Sequence, residues 1–216
     1  MLSTLDAVKN QAGICLNDTS QDAQLSAILA GVSAMVTRML GRNIEQATYT
    51  EYYSGDGSPE LLLRQYPVQS ITSLAVDGSG YWGYGTNAFA TNLVAGTDYA
   101  LSRSSSAEGS PGIVYRIGGV WPQPARYEDA YLAAQPGVDI GNIKVVYVAG
   151  FATVPADIQM AVNSLVMRVM AMSSSGMGLS SAAYEDASAS YMTPEDSAKL
   201  FGSIESALRP YKSVVI

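Results

Sequence analysis

The stretch YVAGFATVPADIQMAV, Tyr147–Val162, decides the reading of the fold. Its first half ends a run of β-branched and aromatic residues at Ala149-Gly150, the pattern of a strand. Its second half opens on Pro155, suited to a first helical position, and Asp157, which favours the positive end of a helix dipole. Ile158, Ala161, Val162, Leu165, Val166, Val169 and Met170 then recur at helical spacing. Between Pro155 and Met172 only Asp157 and Arg168 carry charge. A helix apolar nearly all round is buried on more than one side. A sheet therefore passes here directly into a buried helix.

Upstream of that junction the chain starts as helix and turns to strand. Ser3 and Asp6 fit a capping box, with Leu5, Val8 and Ala12 behind them and Gly13 as a stop. Thr19 and Asp22 repeat the capping spacing. Leu25, Ile28, Leu29, Val32, Met35, Val36, Met39 and Leu40 then form a sustained helical stripe that Gly41 ends. From about Thr48 the period changes. TYTEYYSG, ELLLRQ, SITSLAVDG, DYALSR, GIVYRIGG and NIKVVYVAG are short strand-like runs separated by turn residues. The spans 78–96 and 121–142 between them are long and irregular, a property of functional or partner-ordered loops.

Downstream, SSSGMGLSSAAYEDASAS is small and polar and reads as a flexible connector. A last helix follows, with Thr193 as cap, Pro194 first, and Leu200, Ile204, Leu208 and Tyr211 on one face. Two helical ends that each bury one stripe pack on each other. The expected fold is α+β: a helical bundle built from residues 1–47 and 151–212, an inserted antiparallel β domain over 48–150, and a C-terminal tail, 213–216.

Composition narrows the function. The chain has 216 residues, is 48% hydrophobic and only 14% charged, against roughly 25% charged in an average soluble domain. A surface so poor in charge is expected to be partly covered by other protein. The net charge of −7 and the absence of any Lys/Arg run oppose a grip on nucleic acid phosphates. There is no histidine, the commonest general base and metal ligand. Cys15 has no partner for an internal disulfide and no basic neighbour to activate it, so it reads as a buried or half-buried structural residue. The start MLSTLDAVKNQAG lacks the charged-then-apolar order of a signal peptide, and the apolar window 160–172 is short of a bilayer's roughly 20 residues. A soluble protein of a reducing compartment is expected.

Individual motifs weigh little. Gly78, Gly80 and Gly83 in GSGYWG have the spacing of a dinucleotide-binding loop, but no helical period follows to hold a pyrophosphate. Glycines beside Tyr81, Trp82, Tyr84 and Phe89 read instead as an aromatic loop that contacts protein. Glu128/Asp129 and Glu185/Asp186 are sequence neighbours, which alone makes no acid–base pair. SGDGSPE, with Asp56 and Glu60, is too sparse for a calcium loop and reads as a tight turn. Asn17-Asp18-Thr19 matches a glycosylation acceptor without any sign of secretion. No catalytic residue, metal or cofactor is assigned.

Taken together, several stretches resemble the phage head–tail connector family, the adaptors added to the portal at the end of head filling. They are LDAVKNQAGI and TRMLGR in the first helices, TYTEYYSGDGSPELLLRQYPVQSITSLAVDG, the G-x-D-Y element at Gly96–Tyr99, IKVVYVAGFATVPADIQMAVNSLV, LSSAAYEDASASY and LRPYK. The segment around Glu185-Asp186 departs from the Gly-Asp-Tyr-Ser often found there. The resemblance implies a non-enzymatic virion protein at the head–tail interface, assembled in the host cytoplasm. It implies a ring, usually of twelve, joining the portal to a stopper or tail-completion protein. DNA passes through that ring without sequence-specific binding, and no membrane is involved. An acidic channel lining would suit such passage.

Two segments are expected to make the protein contacts. One is the aromatic loop with Tyr81, Trp82, Tyr84 and Phe89. The other is the end of the chain, Tyr211, Lys212, Val214, Val215 and Ile216, where Pro210 stops the helix and β-branched residues favour extended pairing. A rival reading makes the chain a phage glycan-binding β module whose Tyr81, Trp82 and Tyr84 stack on sugars.

Overall fold

The computed structural model describes residues 1–77, 88–103, 109–123, 141–174, 181–184, 187–190, 202, 204–206 and 208–212. They fall into two compact units: Met1–Glu45 with Thr153–Ile216, and Gln46–Ala152. The architecture is α+β: helices from both ends of the chain make up one unit, and the antiparallel β region inserted between them in sequence makes up the other.

The helical unit begins with α1, Leu5–Ala12, and α2, Asp22–Leu40. Thr4, not Ser3, caps α1: its hydroxyl accepts the Ala7 N–H at 3.2 Å, because three residues separate them in the capping geometry. Gly13 and Gly41 end the two helices with φ of 70° and 68°, left-handed values that a side chain resists. α3, Ala156–Ser174, packs against both α1 and α2. Leu25, Leu29, Val32, Val36 and Leu40 of α2 are buried, as are Ile158, Val162, Leu165 and Val166 of α3. Burying each such side chain contributes about 1.5–3 kcal/mol. By length and composition alone α2 could cross a bilayer, but its stripe is buried in this bundle. Ile204 and Leu208 are buried helical residues near the chain's end, followed by a 3₁₀ turn, Arg209–Tyr211.

Between α1 and α2 lies an ion pair that replaces the expected cap at Thr19. The Lys9 ammonium, almost wholly buried, pairs with the Asp22 carboxylate and donates to the carbonyls of Leu16 (3.2 Å) and Asp18 (2.8 Å). Hydrogen bonds from Ser20, its side chain first and then its N–H at 3.0 Å, hold the Asp18 carboxyl below the usual range. The connection is thus wound around one ammonium. Cys15, in the same connection, is exposed rather than buried, because the core side of the loop is taken by Lys9.

The described residues of the inserted unit form six strands: β1 (Ala47–Tyr53), β2 (Glu60–Leu62), β3 (Val68–Val76), β4 (Tyr99–Leu101), β5 (Ile113–Arg116) and β6 (Ile143–Ala149). They form two antiparallel sheets, ordered β1-β6-β3 and β2-β5-β4. β6 is central and alternates buried with half-buried residues, so Ile143, Val145, Tyr147 and Ala149 point into one core. Leu61, Val68, Leu74, Val114 and Trp121 join them there. The Tyr66–Pro67 peptide is cis.

One expectation fails plainly. The Ser/Ala-rich segment after α3 is not all connector: β7, Ser181–Tyr184, and β8, Ala187–Ser190, pair antiparallel in full register as a two-stranded ribbon. Strand pairing is decided by backbone partners, and residues of low strand propensity give no sequence signal for it.

Candidate protein interface

The expected contact residues divide sharply. Tyr81, Trp82, Tyr84, Val214, Val215 and Ile216 lie outside the described residues. Phe89, Tyr211 and Lys212 lie within them, Phe89 in the inserted unit and the other two in the helical unit.

Phe89 is half-buried, its ring 5.7 Å from that of Tyr52 on β1, whose side chain is 43% exposed. The pair forms an aromatic surface at the end of β1. Tyr211 is tied into its own unit. Its hydroxyl donates to the Asp157 carboxylate at 2.9 Å, and its carbonyl accepts from Arg42 Nε at 2.6 Å. It therefore anchors the end of the chain to the first turn of α3 and to Arg42, two residues past α2. Lys212 is exposed. With Met39, Leu40, Glu205, Leu208 and Arg209 it lines an open groove of about 510 Å³. Leu40 and Leu208 are buried there, and Glu205, Arg209 and Lys212 are exposed.

A further surface escaped the sequence reading. On the sheet β2-β5-β4, Leu61 and Val114 face the core, whereas their neighbours Leu62 and Tyr115 are 48% and 38% exposed. Ile117 and Val120, just beyond β5, are also exposed. This sheet has apolar residues on both faces. The signal was present in GIVYRIGGV, where apolar residues fall at both parities, but a fully buried strand gives the same pattern.

Inside the β unit a polar cluster sets the geometry of the turn between β2 and β3. Both Tyr53 and Tyr147 donate their hydroxyls to Glu51 Oε2, the second at 2.7 Å. The Tyr53 hydroxyl oxygen accepts the Arg64 N–H (3.0 Å) and the Tyr147 hydroxyl oxygen accepts the Gln65 N–H (3.1 Å). Burial first, then the bond to the Glu51 carboxylate, pushes the Tyr53 phenol far above its usual range. Burial is also the main cause of the upward shift at Tyr147. The Arg64 guanidinium lies 4.8 Å over the Tyr53 ring. These phenols stay protonated and act as fixed donors and acceptors, a structural role.

Nor does any described cluster look catalytic. Asp56 is held below its usual carboxylate range by the Ser58 hydrogen bonds of its own turn, the Ser58 N–H lying at 2.8 Å. Among the described residues no three His, Cys, Asp or Glu side chains are placed to hold a metal ion.

A family model of head completion proteins matches residues 1–133. The chain belongs to the head completion protein family. It is a structural protein of the virion head–tail junction. Nothing among curated proteins matches it. Among solved structures it is similar to a chain in the neck of an empty gene transfer agent particle computed with C6 symmetry. The TM-score is 0.57 at 13% identity, covering 98% of this chain and 89% of that one. A chain in the neck of the native particle, computed with C12 symmetry, gives 0.52 at 14% identity over 90% and 84%. A chain of the native gene transfer agent virion gives 0.54 at 15% identity over 94% and 84%. At such identities the likeness is one of fold, and it extends over both units.

Proposed function

We propose that this head completion protein is a non-enzymatic adaptor. Twelve copies form a ring that docks on the portal, extends the DNA channel and presents a surface to a stopper or tail-completion protein. The observation that carries the proposal is the family match over residues 1–133, seated on a fold shared with chains of symmetric necks. The exposed apolar residues Leu62, Tyr115 and Ile117 and the low charge content support it, since a subunit between two neighbours needs little solvated surface. A net charge of −7 suits a channel through which DNA slides, because cationic contacts are what retain it.

The contact residues proposed are those of the aromatic loop, Tyr81, Trp82, Tyr84 and Phe89, and of the chain's end, Tyr211, Lys212 and Val214 to Ile216. The glycan-binding alternative rests on Tyr81, Trp82 and Tyr84, and no observation among the described residues favours it. Cryo-electron microscopy of particles made with a tagged chain tests the proposal. Tag density is expected as a ring directly below the portal. Tag density on the capsid shell or at the tail tip contradicts it.

A further inference from the structure

The sheet β1-β6-β3 has two edges, and they differ. β3 is broken by register shifts between Val68 and Ser70 and between Ile71 and Ser73. Its outer side is bridged by Ser110 at Val68 and by Asn92 at Ala75, and the Leu93 N–H bonds the Leu74 carbonyl at 2.7 Å. Irregularity and cover are the usual protections of a sheet edge. β1 has neither. Its seven residues pair with β6 in unbroken register, and among the described residues no strand or bridge lies along its other side.

The direction of its backbone groups follows from β6. The Asp77 N–H bonds the Asn142 carbonyl on the β3 side. Backbone groups alternate along an antiparallel strand, so even-numbered residues of β6 face β3 and odd-numbered ones face β1. The register then turns Ala47, Tyr49, Glu51 and Tyr53 towards β6. Thr48, Thr50 and Tyr52 direct their N–H and C=O groups outward. The Tyr52 carbonyl is met by the Arg64 guanidinium at 3.4 Å. Thr48 and Thr50 are exposed, and no hydrogen bond among the described residues reaches their outward groups.

The same chain carries two strands that have no third beside them among the described residues. β7 and β8 form a ribbon of two four-residue strands. Two-stranded ribbons are marginal alone, and Ala and Ser are poor strand formers. A ribbon of this composition gains from a further strand that supplies backbone partners, and its small residues allow close approach.

We propose that the free edge of β1 in one copy accepts the β7–β8 ribbon of a second copy, extending the sheet by strand addition. The inference rests on the ring reading above and assigns its subunit joint. Donor and acceptor are different surfaces of one chain, so each copy engages two neighbours and the array closes by rotation. Pairing of β1 with β1 would be two-fold and would stop at a dimer.

Two full-length variants test this by native mass spectrometry. Thr50→Pro removes an outward N–H without touching the β6 ladder; Thr48→Lys with Thr50→Lys serves if the proline variant misfolds. The second variant replaces residues 181–190 with a Gly/Ser linker of equal length. Circular dichroism melts establish that each is folded. The unaltered chain is expected to form rings, and each variant alone is expected to lose every species above the monomer. Mixed, the two retain one good donor and one good acceptor, so they give dimers and nothing larger. Either variant assembling like the unaltered chain, a mixture that stays monomeric, or an edge variant that loses only portal attachment overturns the inference and leaves the ring standing. An unaltered chain that never self-associates, alone or with portal, overturns the ring reading as well.

Discussion

Two polar clusters show what single side chains do in this fold. Lys9 carries a buried ammonium that three oxygens of the α1–α2 connection surround. Lys9→Met keeps the apolar stem and strands the carbonyls of Leu16 and Asp18. A loss of about 2–3 kcal/mol is expected, at or below the low end for buried pairs because Asp22 is partly exposed, and chemical denaturation measures it. Tyr147→Phe removes a hydroxyl that serves both Glu51 and the Gln65 N–H, at a cost of about 1–3 kcal/mol. The phenols also set a pH dependence. Their native pKa values are raised above the unfolded value of about 10. Their contribution is therefore complete below about pH 10 and is lost as pH rises towards the native values. Melting temperature followed from pH 8 to 11 is expected to fall above pH 10, with a shallower fall in the Tyr53→Phe, Tyr147→Phe double variant. None of this was legible in the sequence. The spacing of Thr19 and Asp22 satisfies a capping box, and nothing local says that Asp22 instead meets Lys9.

At the scale of elements the sequence spoke clearly wherever one face is buried and one is not. The stripe from Leu25 to Leu40 and the run from Ile158 to Met170 gave α2 and α3, and the glycines at 13 and 41 ended their helices because left-handed φ favours them. Leu165 is buried in α3, within the bundle that α3 forms with α1 and α2. Leu165→Ala is expected to cost about 2–5 kcal/mol by leaving a cavity. Leu165→Asp, an unpaired buried carboxylate, is expected to leave no cooperative melt. A Leu165→Asp chain that melts at an unchanged temperature contradicts the bundle. The six described strands of the inserted unit were likewise marked by short apolar and aromatic runs between turns. Their division into two sheets was not, since register depends on partners far away in sequence: Glu51 faces Val145, and Leu61 faces Val114. The β7–β8 ribbon was missed for the same reason, sharpened by its Ala/Ser composition.

For the whole molecule, the family and its place in the virion follow from motifs spread over the chain, none of which is chemical. Absence of histidine and of a run of positive charge pointed away from catalysis and nucleic acid before any strand was placed. The candidate contact surface was legible only in part. Phe89 is half-buried against Tyr52 and Lys212 is exposed, and Tyr211 is engaged with Asp157 and Arg42 through bonds that link residues far apart in sequence. The exposed face with Leu62 and Tyr115 and the free edge of β1 appear only once strands are paired. The central claim is that copies of this chain close into one ring between head and tail. Native mass spectrometry of the purified chain with and without portal tests it most directly. With portal present, a single closed species is expected in which twelve times the 22.7 kDa subunit mass is added to that of the portal. A monomer that persists with portal present, or an open ladder of sizes without a preferred closure, contradicts it.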